Sequence, residues 1–255
     1  MRILSVVVLL VMSNLVFAGA DYAREKKWAD EIVPGIVVGD TVYLELKNAH
    51  KFLTIYTEAQ DAKREVAKSE MAKSERIGVV VVHGLGIHPD WNMIGTLRIQ
   101  LAEQGYTTLS IQMPVLANEA GSEAYQPLFA EAAERIAVAV DFLYAKGYKK
   151  VAIVSHSMGS AMSRMYVVNN PFKLVAWAAL GMGHGYSYSG VRIPVLDLLG
   201  EKDLKPVLKM AKKRAMSLKG NPKSRQVKVR GSDHFYNDHE VEMVQEVKRF
   251  LDSIK

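Results

Sequence analysis

The sequence predicts an α/β protein with a mostly parallel, twisted sheet, helices on both faces and an antiparallel hairpin at its N-terminal end. Three observations lead there. Residues 77–82, IGVVVV, form an unbroken and largely β-branched run, the pattern of a strand buried on both faces of a parallel sheet. After it, short apolar runs alternate with helix-length segments to the end of the chain, the order expected of βαβ units with right-handed crossovers. Before it, V-Y-L-E-L and F-L-T-I-Y alternate within residues 36–57 around Lys47-Asn48-Ala49-His50, which reads as two strands and a turn.

The elements follow in chain order. Arg2 precedes ILSVVVLLVMSNLVF, and Ala18-Gly19-Ala20 follows it. A basic start, a short apolar stretch and an A-x-A site mark residues 1–20 as a secretory signal peptide, with an uncleaved anchor as the alternative. The stretch is short for a membrane span. The mature chain is then 21–255, and the expected location is the bacterial periplasm. Residues 58–76 carry five acidic and five basic side chains with few large apolar ones, a solvated helix or connector. Beyond the 77–82 strand come a helix at 91–104 closed by Gly105, a strand at 106–111, and a helix at 125–146. In that last helix Phe129, Ala132, Ile136, Val140 and Leu143 share one face. Strands are predicted at 151–154, 173–180, 193–200 and 225–230. Helices are predicted at 158–168, 204–219 and 239–254.

Composition narrows the function. The chain has 255 residues, 49% hydrophobic and 24% charged, as in a globular protein with a sizeable core. It has no cysteine, which removes disulfides, thiol catalysis and cysteine-based metal sites. The formal charge is +6. The excess gathers at 201–230, where eleven Lys and Arg face only Glu201 and Asp203. That tract reads as a solvated helix face and strand edge, or as a contact for anionic lipid headgroups or an acidic substrate. No nucleic-acid motif is present. Seven histidines show no H-E-x-x-H or compact helical pair, so no metal and no cofactor are expected.

Four places where strands end and helices begin carry candidate chemistry. In VAIVSHSMGSAM (151–162), Ser157 sits between a strand and a helix, with Gly159 at a small-residue position. This resembles the G-x-S-x-G elbow that exposes a nucleophile, except that Ser155 replaces the first glycine. The alternative is a serine that caps the helix. The amide of Met158, at the helix start, could receive a developing oxyanion. In VVVVHGLG (79–86), glycines let the backbone turn its amides outward; Leu85 is the second oxyanion candidate, Gly86 the next, and His83 is expected to orient the loop. In GSDHFYND (231–238), His234 follows a strand and could take the serine's proton, with His239 as rival. In LLGEKDL (198–204), Asp203 lies just past a strand end and could orient that histidine, ahead of Asp197, Glu201 and Asp233.

Taken together, VVVVHGLG, SHSMGS, GEKD and SDHF, in this order, resemble the α/β-hydrolase superfamily over about residues 36–255. HGLGIHPDW, the long helix before the elbow and the export signal look most like an uncharacterised exported bacterial branch, the DUF3530-type proteins. The resemblance implies an α/β-hydrolase fold and a Ser-His-Asp triad at Ser157, His234 and Asp203, with oxyanion amides at Leu85 and Met158. Lids in this superfamily often enter between the sixth and seventh strands. Here that segment, LGMGHGYSYSGV (180–191), is a dozen residues with four glycines, so a short rim without a large cap domain is expected. A second rim is expected at 113–126. His184, Tyr186, Tyr188, Trp91 and Met113 are candidate wall residues. The expected function is hydrolysis of a small-molecule or lipid-like ester, with contact to an anionic membrane through 201–230 as an additional expectation. The competing reading is a non-catalytic envelope protein that keeps the fold to bind a ligand or an anionic membrane surface.

Overall fold

The computed structural model describes residues 19–60, 74–183 and 185–254. The predicted signal peptide up to residue 18 and most of the charged connector (61–73) lie outside the described residues. Eight strands form one sheet: β1 (Asp40–Glu45), β2 (Lys51–Thr57), β3 (Ile77–Val82), β4 (Thr107–Ile111), β5 (Lys150–His156), β6 (Ala176–Leu180), β7 (Val195–Gly200) and β8 (Arg225–Val229). Their order is β1-β2-β4-β3-β5-β6-β7-β8. The hairpin β1–β2 is antiparallel and joins β4 antiparallel; every later pairing is parallel.

Among the described residues six α-helices pack around the sheet: α1 (Tyr22–Ile32), α2 (Asn92–Glu103), α3 (Phe129–Ala145), α4 (Met158–Asn169), α5 (Lys205–Ser217) and α6 (Glu240–Asp252). The continuous apolar strands have cores on both sides. Ile77, Val79 and Val81 pack with α2 and α6 through Leu97, Leu101, Val247 and Phe250. Val80 and Val82 face the other way, onto Ile136 and Val140 of α3 and Met162 and Tyr166 of α4. Alternation within β3 therefore serves two apolar layers instead of one apolar and one wet face.

Several predicted boundaries shift: the strand predicted from 173 begins at Ala176, the strand predicted to end at 154 runs to His156, and two further shifts fall at proline. The helix predicted from 125 begins as an α-helix at Phe129; residues Ser122–Leu128 form a 3-10 segment containing Pro127. Proline supplies no N–H for an upstream helical bond, so the chain turns more tightly before it. Likewise β7 starts at Val195, just after Pro194, which cannot donate to a ladder.

Helix α1 is an addition to the elements read from sequence. Asp21 caps it by accepting the Arg24 amide at 3.0 Å. Glu25, buried at 4% exposure, holds it to α3 through two bonds to the Arg135 guanidinium, at 2.8 and 3.0 Å. Arg135 also donates to the Gln112 carbonyl at 3.0 Å.

Helix α5 is fixed in a similar way. Arg214 donates from Nε to both carboxylate oxygens of Asp197 in β7 at 3.0 Å, and neither side chain has any exposure. Tyr188 of the 181–194 rim donates to the same carboxylate at 2.8 Å, and Gln226 of β8 at 2.6 Å. Asp197 therefore ties rim, helix and edge strand together. Replacing it with alanine leaves a buried guanidinium without its counter-charge. The expected cost is about 3–5 kcal/mol, measured as a lower urea midpoint for Asp197→Ala.

Candidate active site

All the parallel strands run the same way, so their carboxyl ends form one edge of the sheet, and the four predicted motifs meet there. Ser157 lies between β5 and α4 with φ 54° and ψ −122°, a backbone conformation that L-residues rarely adopt. The strain is held from both sides. The Ser157 amide donates to the Leu180 carbonyl at 2.8 Å, continuing the β5–β6 ladder, while its carbonyl accepts the Ser160 amide at 3.0 Å. A side chain at Gly159 would place its Cβ 2.2 Å from the His83 carbonyl oxygen, so only glycine lets α4 start this close to the end of β3.

Ser155 has a structural explanation. It is buried, accepts the Trp177 indole N–H at 2.8 Å and donates to Ser160 Oγ at 3.0 Å; Ser160 donates back to the Ser155 carbonyl at 2.9 Å. The hydroxyl satisfies a fully buried tryptophan that glycine would leave without an acceptor.

The side chains read as a set are brought together. Ser157 Oγ is 2.9 Å from His234 Nε2, and His234 Nδ1 is 2.6 Å from Asp203 Oδ1. Asp203 is itself oriented by the Leu204 amide (2.7 Å to Oδ1) and the Gly200 amide (3.2 Å to Oδ2). The loops that carry the acid and the histidine are bonded to each other, Lys202 N–H to the Ser232 carbonyl at 2.8 Å. The rivals are engaged elsewhere. Asp197 is paired with Arg214, Glu201 accepts the Gly231 amide, Asp233 accepts the amides of Phe235 and Asn237, and His239 lies 3.5 Å from Glu242. At Gly181, with φ +59°, an added Cβ would sit 2.9 Å from His234 Cε1, so this turn leaves room for the imidazole.

Two further histidines frame the site. His83 donates from Nδ1 to the Gly84 carbonyl at 2.8 Å, which makes Nε2 the acceptor for the Met113 amide at 2.9 Å and the Gln112 side-chain amide at 3.1 Å. It pins the Gly84–Gly86 turn to the loop after β4. His156 was not among the residues singled out from sequence. Its Nε2–H donates to the His234 carbonyl at 2.9 Å, and its ring stacks at a tilt 4.7 Å from the His234 ring. Its signal was a second imidazole beside the elbow serine. Burial pushes both His83 and His156 down to about 3.

Ser157, Met158 and Leu85 open on a cleft of about 360 Å³ whose other walls include Ile87, Leu204, Pro206, Val207 and Phe235. A smaller depression of about 210 Å³, which shares Met158 and Ser122 with the cleft, adjoins a groove of about 700 Å³ lined by Phe129, Met165, Val168, Tyr186 and Arg164. Of the expected wall residues, Tyr186 lines this groove. Tyr188 and Met113 are buried in structural roles, and Trp91 stands behind Phe235 with ring centroids 5.4 Å apart. His184 lies outside the described residues. Among the described residues no group of three or more His, Asp or Glu side chains is placed to hold a metal ion.

This chain has the α/β-hydrolase fold. It is similar in structure to Est1E from Butyrivibrio proteoclasticus, with a TM-score of 0.63 and 14% identity over 84% of this chain and 98% of that one. It is similar to a dienelactone hydrolase from Anabaena variabilis, with a TM-score of 0.67 and 18% identity over 85% and 97%. It is also similar to a Xanthomonas campestris protein described as an α/β serine hydrolase without lid, with a TM-score of 0.65 and 12% identity over 86% and 95%. No family model and no curated protein matches the sequence.

Two outcomes follow from the buried groups. Ser155→Gly strands the Trp177 N–H and should cost about 1–3 kcal/mol of stability, read from urea unfolding. His83 and His156 stay neutral in the fold but gain protons when unfolded below pH 6.5. Stability should be full above that pH and fall as pH drops toward 3, by about 1.4 kcal/mol per pH unit for each histidine. Urea midpoints between pH 7 and 5 should show this slope, and His156→Gln should reduce it.

Proposed function

We propose that the chain is an exported serine hydrolase acting on ester-type substrates through Ser157, His234 and Asp203. The carrying observation is the unbroken Ser157 Oγ–His234–Asp203 line of hydrogen bonds beside an apolar cleft. His234 Nε2 accepts the Ser157 proton as Oγ attacks the ester carbonyl. The Asp203 carboxylate holds the ring with Nδ1–H inward and stabilises the imidazolium. The amides of Leu85 and Met158 receive the negative charge that develops on the carbonyl oxygen. His234 then returns the proton to the leaving alkoxide, which departs as alcohol. Water, deprotonated by the same nitrogen, attacks the acyl-Ser157 ester, and the proton goes back to Oγ as the acid leaves.

Supporting the export reading, Arg2, the apolar stretch and Ala18-Gly19-Ala20 stand just before Asp21. Asp21 already begins the folded part, its amide on the Val115 carbonyl at 2.7 Å and its carboxylate capping α1. We place the protein in the periplasm, in the DUF3530-type branch that HGLGIHPDW resembles. The cleft and the groove beyond it suit an acyl ester with an apolar arm. The non-catalytic reading rests on the unusual elbow, the open rim and the basic tract at 201–230; for the elbow, the Ser155–Trp177 bond supplies a different reason.

A fluorophosphonate probe should label the wild type at Ser157 and leave Ser157→Ala unlabelled. Hydrolysis of p-nitrophenyl butyrate should fall by about 10⁴ or more in Ser157→Ala and by about 10⁴ in Asp203→Asn. Equal labelling of wild type and Ser157→Ala would remove the assignment.

A further inference from the structure

We propose that the mouth of the cleft is a docking surface for an anionic lipid bilayer, with α5 as its electrostatic contact. The inference rests on the hydrolase reading only for its consequence, that the substrate is amphiphilic; the docking itself is separate from catalysis.

Two observations coincide. Leu204, Leu85 and Phe235, all on the cleft wall, are exposed at 51%, 39% and 37%. They present apolar side chains from three different loops around one opening, where solvent would favour polar ones. The cations of the basic tract begin at the same opening. Lys202 and Lys205 flank Leu204, and α5 continues away from the mouth with Lys209, Lys212 and Lys213 on its exposed side. From Lys205 to Lys213 is about 12 Å along a helix axis. The buried side of α5 is fixed to the sheet by Arg214 and Asp197, so this lysine face is held outward. Lys228 joins it from the edge strand. Gln226, two residues earlier and hence on the same face of β8, donates to the Ala211 carbonyl of α5.

The charge is uncompensated. Within 201–230 the acids are Glu201, whose carboxylate accepts the Gly231 amide, and buried Asp203, bonded to His234. None of these lysines pairs with a carboxylate among the described residues. Apolar side chains at an opening with lysines beside them fit the boundary of a bilayer, where the former enter the acyl region and the latter meet anionic headgroups. A protein partner would need a shaped apolar counterpart; a bilayer needs only this layering.

The chain has no cysteine, so single labels can be placed freely. The full mature chain is made as Leu204→Cys and, separately, as Phe172→Cys, each carrying an environment-sensitive nitrobenzoxadiazole group. Phe172 is 92% exposed in the turn before β6, at the opposite edge of the sheet. On adding phosphatidylglycerol vesicles, the label at 204 should shift to the blue and brighten, while the label at 172 should not change. Pure phosphatidylcholine vesicles, or 0.5 M salt, should leave both unchanged. Lys209→Glu, Lys212→Glu and Lys213→Glu together should lower partitioning into anionic vesicles by about a hundredfold or more, at roughly fivefold per lysine. The same triple variant should hydrolyse soluble p-nitrophenyl acetate like the wild type. The matching Lys→Gln variant should lose less affinity. Ser157→Ala should bind vesicles as the wild type does, which separates this test from that of the nucleophile. Equal shifts at 204 and 172, no shift at 204, or equal partitioning into anionic and neutral vesicles would overturn the proposal.

Discussion

The first turn of α4 approaches the end of β3 so closely that a single carbon at Gly159 would collide with the His83 carbonyl. That contact sets two things together. It places Ser157 on its strained backbone at the carboxyl end of β5, and it holds the His83–Gly86 turn against the helix start. Leu85 and Met158, whose amides are the proposed oxyanion donors, come from those two elements, so under that proposal helix-to-strand packing sets their spacing. Strain at Ser157 persists because its amide is committed to the β5–β6 ladder and its carbonyl to α4. A looser helix would relax both.

Around this contact the polar interior is arranged so that charge is either paired or absent. Arg135 and Arg214 are buried against carboxylates, and each joins a helix to the rest of the molecule. His83 and His156 are buried and neutral, and serve as hydrogen-bond linkers. They carry the framework outward: Glu25 to Arg135, Arg135 to the Gln112 carbonyl, the Gln112 side chain to His83, and His83 to the Gly84 carbonyl. The N-terminal helix is thereby connected to the turn that bears Leu85. His234 is held at both ring nitrogens and at its carbonyl, which leaves its imidazole little freedom to turn.

Elements were readable where the physical pattern is local. IGVVVV reads as a strand buried on both faces and is one, and the glycines after 104 and 146 close helices where expected. Boundaries slipped at Pro127 and Pro194, where one missing N–H outweighed a continuing apolar pattern. Helix α1 was illegible because the buried ion pair that holds it, Glu25 with Arg135, spans 110 residues. As a segment rich in charge it resembles a solvated stretch until its partner is known.

The sequence alone determined the βαβ order, the strand ends at which Ser157, Asp203 and His234 stand, and the concentration of lysines on α5, because strand length, helix period and charge are written residue by residue. Tertiary structure decided which acid faces the histidine. Asp197 and Asp203 are six residues apart and chemically alike, yet one is taken by Arg214 and the other by His234. It decided that Ser155 completes a bond from Trp177, a residue on the neighbouring strand. It also decided that His156 supports the His234 loop and that Leu85, Leu204 and Phe235 share one opening. Each of these depends on distances between segments far apart in the chain, and those distances are fixed only when both faces of the sheet are packed.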